Sequence, residues 1–178
     1  MIDHIRLNSF AVELRHGWEI NSFSPINLLS AVLSRMPNLT ILYYPMSNNT
    51  SGMCIKDINN VDLNDIDFEL DDLNSTDFSR DFNFKNSPDM IIGINSKISK
   101  GRQKFTLAHE LYHLIFEDNQ NNFVICDYSS DSVSEKEANL FASYLLMPYE
   151  ALTRYAKSNN INYFSHLLHL PSDRHTRK

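Results

Sequence analysis

The chain has 178 residues, a formal net charge of −6 and 42% hydrophobic residues, which suits one domain with a core of ordinary size. The acidic balance argues against a chain-wide basic surface, so no direct contact with nucleic acid is predicted. No apolar run approaches the roughly eighteen residues needed to cross a bilayer, so no membrane partner is predicted either.

Two features of the sequence indicate the cellular compartment. Cys54 and Cys126 are the only cysteines and lack metal-type spacing, so we expect both to be reduced, buried and inert. Residues 1–6 lack the basic-then-apolar order of a signal peptide. These features predict a cytoplasmic protein.

The N-terminal half predicts two helices followed by strands. Apolar residues at helical spacing predict a first helix over residues 5–16. Ser24 followed by Pro25 is a typical helix start, and Pro37 ends this second helix. β-Branched and aromatic residues predict three strands, over residues 39–44, 52–55 and 90–94.

The connection between the second and third predicted strands, at about residues 57–89, is acidic and rich in Asn, Asp and Ser. Residues 56–89 hold ten acidic and three basic residues, a net charge of −7. A connection of this length is uncommon in a compact domain and is usually functional or mobile. Two interpretations stay open. It is either a lid or exosite that favours a basic protein substrate, or an insertion that only solvates the edge of the sheet.

The most informative feature is the pentapeptide HELYH at residues 109–113. It lies within residues 102–116, whose apolar periodicity predicts a helix. At 3.6 residues per turn, His109 and His113 lie about 40° apart on one face, so both imidazoles can reach one metal ion. Glu110 projects about 100° from His109, where a general base can hold a water on the open side of the metal. The pattern predicts a zinc hydrolase site.

A catalytic zinc usually has three protein ligands and a water, so another segment must supply the third ligand. A second site helix is predicted to begin at Ser132 or Ser134, each of which has a glutamate three residues later, and to end before Pro148. Glu135 lies in its first turn, where the helix dipole alone also favours a glutamate. Residue type and spacing leave three candidates open for the third ligand: Glu135, Glu137 and Glu117.

Three further side chains are candidates for the cleft. Asn139 follows Glu135 by one turn and could orient a neighbouring group. Thr106 shares a helix face with the two histidines. Tyr112 lies inside the pentapeptide, and we expect it to pack with a solvated tip, with stabilisation of an oxyanion as the alternative.

Residues 102–116 (RQKFTLAHELYHLIF) and 135–148 (EKEANLFASYLLMP) resemble the paired motifs of the ImmA/IrrE family of zinc metallopeptidases. The resemblance covers roughly residues 20–155. It implies His109 and His113 as zinc ligands, Glu110 as general base and Glu135 as third ligand, with one Zn²⁺ per chain. One departure is the tyrosine at position 112, where the family usually has glycine.

The strands and motif helices together predict an α+β fold, in which a small three-stranded sheet packs against a zincin-like pair of helices flanked by N- and C-terminal helices. A further helix is predicted over residues 149–157, followed by a short apolar stretch over residues 161–170. We expect its two histidines, His166 and His169, to be surface or packing residues. The domain prediction is a single metallopeptidase domain over residues 1–170, with the basic residues 171–178 frayed.

The resemblance also implies a function, a zinc-dependent endopeptidase that cleaves a partner protein. Peptidases of this family typically accompany a helix-turn-helix repressor of a mobile element or stress operon and cut it. We find no such motif in this chain, so the repressor would be a separate substrate. The alternative is a zinc-bearing regulatory binding module, a sensor or toxin–antitoxin component, that docks a partner without cleaving it. The intact Glu110 argues against that alternative, because a purely structural metal site needs no base.

Overall fold

The computed structural model describes residues 2–57, 90–117, 123–127 and 132–159. These residues form five helices and one mixed sheet, which confirms the predicted α+β class. Most of the acidic insertion, both histidines of the 161–170 stretch and the basic ending lie outside the described residues. None of the described helices is long and apolar enough to span a bilayer.

Two helices precede the sheet. Helix α1 spans His4–Gly17, in agreement with the prediction. Helix α2 spans Leu28–Arg35 and begins later than predicted, because Asn27, and not Ser24, is its N-cap. The Ser24 carbonyl group accepts a hydrogen bond from the guanidinium of Arg15, and this tertiary contact takes the place of a hydrogen bond within a helix.

The sheet has four strands where three were predicted. Strands β1 (Leu39–Tyr44), β2 (Thr50–Ile55) and β3 (Met90–Asn95) correspond to the predicted strands. Strand β4 (Phe123–Asp127) was not predicted. The order is β1-β3-β2-β4, with β1 parallel to β3 and the other pairs antiparallel. Strands β2 and β3 are therefore central, and each buries five of its six residues.

The remaining helices follow β3 along the chain. Helix α3 (Lys100–Ile115) carries the HELYH pentapeptide. Helix α4 (Val133–Leu146) begins after Ser132, whose hydroxyl oxygen accepts a hydrogen bond from the Glu135 N–H at 3.1 Å. Helix α5 (Tyr149–Ser158) follows almost directly.

Helix α3 lies between the sheet and α4. It packs against α4 on one side and contacts β2 and β3 on another, while α1 covers a second side of α4. The core side chains of α4 that mediate this packing, Phe141, Ala142 and Leu145, are fully buried. Because burial of apolar surface is the main driving force of folding, this layer fixes α3 relative to α4.

The buried guanidinium of Arg15 links α1 to the end of α4. The Arg15 side chain is fully buried and donates hydrogen bonds to the carbonyl groups of Leu145, Asn21 and Ser24. Burial lowers the pKa of Arg15 from its ordinary value. Since Leu145 lies in the last turn of α4, the guanidinium also lies at the negative end of that helix dipole.

Candidate metal centre

Two histidines of α3 and one glutamate of α4 converge on one point. The Nε2 atoms of His109 and His113 lie 3.2 Å apart. Glu135 places Oε2 3.1 Å from the His109 Nε2 and Oε1 3.4 Å from the His113 Nε2. All three residues are buried. Three ligand atoms at these separations could hold a metal ion.

Local sequence explains this convergence. His109 and His113 are four residues apart, so they lie one above the other on the same face of α3. Glu135 lies in the first turn of α4, whose start is fixed by the Ser132 cap. Because α3 and α4 pack side by side, this cap brings the glutamate opposite the two histidines.

The other ring nitrogen of each histidine has its own acceptor. The Nδ1 of His109 lies 3.1 Å from Asn139 Oδ1, and the Nδ1 of His113 lies 2.6 Å from Glu117 Oε2. Since both partner atoms are acceptors, each Nδ1 carries a hydrogen and each Nε2 of a neutral ring keeps a lone pair. This is the tautomer in which imidazole ligates metals through Nε2.

The donor set fits a divalent transition metal. Two imidazole lone pairs and one carboxylate face one another across 3.1 to 3.4 Å. Such a group of acceptors repels itself unless a cation or a proton lies among them. Imidazole and carboxylate ligands in this two-to-one ratio are typical of catalytic zinc sites.

In the metal-free chain, a proton shared among these side chains reduces the same repulsion. Burial opposes protonation of His113, but hydrogen bonds to Glu135 and Glu117, with the charges of Glu110 and Glu117, outweigh it and raise the His113 pKa above 6.5. Burial also opposes ionisation of Glu135, but its hydrogen bonds to His109 and His113 outweigh it and lower the Glu135 pKa to about 2. The site therefore favours positive charge at its centre.

The other two candidates for third ligand have different partners. Glu117 accepts hydrogen bonds from the His113 Nδ1 and from the Ser134 hydroxyl group. Glu137 accepts hydrogen bonds from the Tyr112 hydroxyl group at 2.7 Å and from Arg6 at 2.9 Å. Of the three glutamates, Glu135 is the one placed beside both Nε2 atoms.

Glu117 was predicted only as a candidate third ligand, whereas the structure places its carboxylate beside the Nδ1 of His113. The signal was present, since Glu117 follows His113 by four residues, about one helical turn, just after the end of α3 at Ile115. A carboxylate that accepts from the Nδ1 of a metal-binding histidine orients the ring and raises its basicity.

Glu110 and Thr106 lie on the side of α3 that faces β2, and both are buried. A Cβ atom added to Gly52 of β2 would lie 2.7 Å from Glu110 Oε1 and 2.5 Å from Thr106 Cγ2. The Glu110 charge also raises the pKa of His113, so the carboxylate lies close to the ligand group. From this position it could exchange a proton with a molecule bound beside the histidines.

Tyr112 lies among aromatic residues at the junction of α3 and α4. Its ring is 5.6 Å from that of Phe141 and 6.2 Å from that of Phe116, and 4% of the residue is exposed. Its hydroxyl group donates to Glu137. Burial and then this hydrogen bond raise the Tyr112 pKa far above its ordinary value. These are the surroundings of a packed tyrosine.

Comparison with curated protein sequences yields no match. The profile of the peptidase M78 family, described as the IrrE N-terminal-like domain, matches residues 59–169. The matched range includes α3 and α4 with all three residues of the candidate centre, whereas α1, α2, β1 and β2 precede it. Since the match covers more than half of the sequence, the chain belongs to the M78 peptidase family.

Proposed function

We propose that the protein is a zinc-dependent endopeptidase that acts on a partner protein. The observation that carries this proposal is the convergence of His109, His113 and Glu135 in a member of a peptidase family. These three side chains would hold the zinc, with Asn139 and Glu117 fixing the two imidazole rings. A zinc ion bound there supplies a Lewis acid that activates water and polarises a peptide carbonyl.

Glu110 is the proposed general base. Its carboxylate accepts the proton of the attacking water and delivers it to the nitrogen of the leaving amine. Its place between β2 and the ligand group supports this role, because a base must stand beside the attacking water and not among the ligands. Burial of the carboxylate also keeps bulk water from competing for the proton.

The proposed substrate is a helix-turn-helix transcriptional repressor in the cytoplasm, so that cleavage would switch transcription on. Family membership and the resemblance of the two motifs to ImmA/IrrE peptidases support this choice. A peptidase dedicated to one regulator needs little activity on generic proteins. We therefore expect weak cleavage of casein beside efficient cleavage of the cognate repressor.

The metal content of purified protein tests the ligand set. We expect about one zinc per chain by elemental analysis in the wild type, and loss of zinc in His113→Ala and Glu135→Gln. His16→Ala and Glu137→Gln are matched controls that should keep zinc, because His16 is exposed on α1 and Glu137 bonds Tyr112 and Arg6. Zinc retained in Glu135→Gln, or absent from reconstituted wild type, would contradict the proposed centre.

Incubation with the repressor encoded beside the gene tests the reaction. Fragments that appear with zinc-loaded protein, and not after chelation, are the expected result. A stable complex without fragments would instead favour the binding-module alternative.

A further inference from the structure

Strand β2 lacks a side chain at the point where it meets Glu110. A Cβ atom at Gly52 would lie 2.5 Å from Thr106 Cγ2, 2.7 Å from Glu110 Oε1 and 2.9 Å from the carbonyl oxygen of Gly93. All three distances are below 3.0 Å, a separation that real Cβ atoms essentially never go below. Glycine is therefore the residue type that allows this approach of α3 to the sheet.

The three contacts differ in how easily they can yield. The Gly93 carbonyl belongs to the backbone of a central strand, which is hydrogen-bonded on both sides. Thr106 is buried and has a short, stiff side chain on α3. Glu110 has the longest and most flexible side chain of the three. A methyl group at position 52 would therefore displace the Glu110 carboxylate first.

Cys54 of the same strand also lies near the Glu110 carboxylate, whose charge affects the thiol. Residues 52 and 54 are two apart in β2, so they lie on the same face of the sheet. The Cys54 thiol is fully buried. Burial first, and then the Glu110 charge, raise the pKa of Cys54 well above its ordinary value. A thiol in these surroundings stays protonated, and its S–H bond lies in the electric field of the Glu110 charge.

We propose that Gly52 is a positioning residue for Glu110: the absence of a side chain at this point of β2 leaves the space that the carboxylate occupies. The inference deepens the function proposed above, since it concerns the placement of the proton acceptor. Gly52 and Cys54 both precede residues 59–169, the range that the family profile matches.

The S–H stretching band of Cys54 in the infrared spectrum tests the inference without any measurement of cleavage. We expect Gly52→Ala to shift this band in the same direction as Glu110→Ala, because both changes take the Glu110 charge away from the thiol. Cys54→Ala identifies the band against that of Cys126. A folded Gly52→Ala protein with the wild-type band would overturn the proposal.

Gly93→Ala is the matched control. A Cβ atom there would meet Met46 Cε and Met53 Cγ at 3.0 Å, which are atoms of flexible side chains. We therefore expect the wild-type Cys54 band and wild-type cleavage in this variant. A band shift equal to that of Gly52→Ala would show a general response of the sheet and would also overturn the proposal.

A double variant separates positioning from packing. Thr106→Ser removes the Cγ2 atom that would be nearest to a new methyl group, so adding it to Gly52→Ala should restore much of the melting temperature. We expect zinc affinity to match the wild type in both, while kcat on the repressor stays about a hundredfold low. Recovery of kcat together with stability would show that helix packing, and not the carboxylate, was disturbed.

Failure of the inference is distinguishable from failure of the proposed function. If wild-type protein binds zinc and cleaves no repressor, the proposed function fails, while the infrared comparison still decides the placement of Glu110. If Gly52→Ala does not fold, the double variant carries the same infrared test.

Discussion

At the scale of single residues, the two histidines differ in the partner of each Nδ1. His109 uses the neutral amide of Asn139, whereas His113 uses the carboxylate of Glu117. A carboxylate partner makes the ring the stronger donor to a metal. We expect Glu117→Gln to weaken zinc binding about 10- to 100-fold, measured by competition with a chelator. Glu150→Gln, an exposed change on α5, should leave the affinity unchanged, and equal loss in both variants would contradict the role of Glu117.

Substitution of Glu110 separates the proposed base from the ligands. Glu110→Gln keeps the size of the side chain and removes its ability to accept a proton. We expect one zinc per chain to be retained and the cleavage rate to fall about 10²- to 10⁴-fold, measured with repressor substrate and elemental analysis. A Glu110→Gln protein that cleaves at the wild-type rate would show that the base is another group.

Without metal, the His113–Glu135 pair makes stability depend on pH in two directions. The His113 pKa is raised above 6.5, so its contribution is complete below pH 6.5 and is lost as pH rises through the raised pKa. The Glu135 pKa is lowered from 4.5 to about 2, so its contribution is complete above pH 4.5 and is lost as pH falls toward 2.

We therefore expect these two groups to stabilise chelated protein most between pH 4.5 and 6.5, measured by urea unfolding across the pH range. Glu135→Gln removes the acidic limb and weakens the alkaline limb, so the difference between wild type and variant isolates the pair. A difference that stays constant from pH 4 to pH 8 would contradict it.

At the scale of elements, a chain of hydrogen bonds joins three helices. Tyr112 on α3 donates to Glu137 on α4, which also accepts from Arg6 on α1. Because hydrogen bonds to charged groups contribute about 1.5 to 3 kcal/mol, we expect Tyr112→Phe to lower the free energy of unfolding by about 1.5 kcal/mol. Urea denaturation measures this loss, and zinc content should not change. Tyr155→Phe, at a residue that is 62% exposed, is the control and should have little effect.

The elements that sequence predicted well carry their own signals. The first helix has apolar residues at helical spacing, and strand β1 is rich in β-branched and aromatic residues. The N-cap of α4, Ser132, is one of the two serines that the sequence left open, each with a glutamate three residues later. The start of α2 was misread, because the Arg15 guanidinium takes the Ser24 carbonyl in a contact that local sequence cannot reveal. Strand β4 has suitable residues in Phe123–Asp127, but its partner β2 lies far upstream.

In the candidate site, too, some features follow from local sequence and others depend on tertiary packing. The spacing of His109 and His113 follows from helix geometry, so their convergence could be predicted from α3 alone. The choice of Glu135 over Glu137 depends on the rotation of α4 against α3, which is set by core packing. The close approach of Gly52 to Glu110 depends on how strand β2 packs against helix α3, and no local sequence pattern predicts it.

At the scale of the whole molecule, zinc should act as a clamp between α3 and α4. The three residues that could hold it come from both helices, and an unfolded chain does not keep these residues together. We expect the free energy of unfolding to rise by about 1.4 kcal/mol for each tenfold increase in free zinc above the Kd. Thermal unfolding in zinc buffers measures this slope. His113→Ala should show no slope, and a wild-type slope in that variant would place the metal elsewhere.

The strand order has a consequence for synthesis on the ribosome. The parallel pair joins Leu39 to Met90, and β2 pairs on its other side with a strand that ends at Asp127. Such distant pairings slow folding, because a long chain must be closed before any contact forms. The edge of β2 that β4 covers therefore stays open while α3 is being made, and an open edge is a site for wrong pairing between nascent chains. Strand β2, which lies against Glu110, is therefore covered along this edge only after residue 127 has emerged from the ribosome.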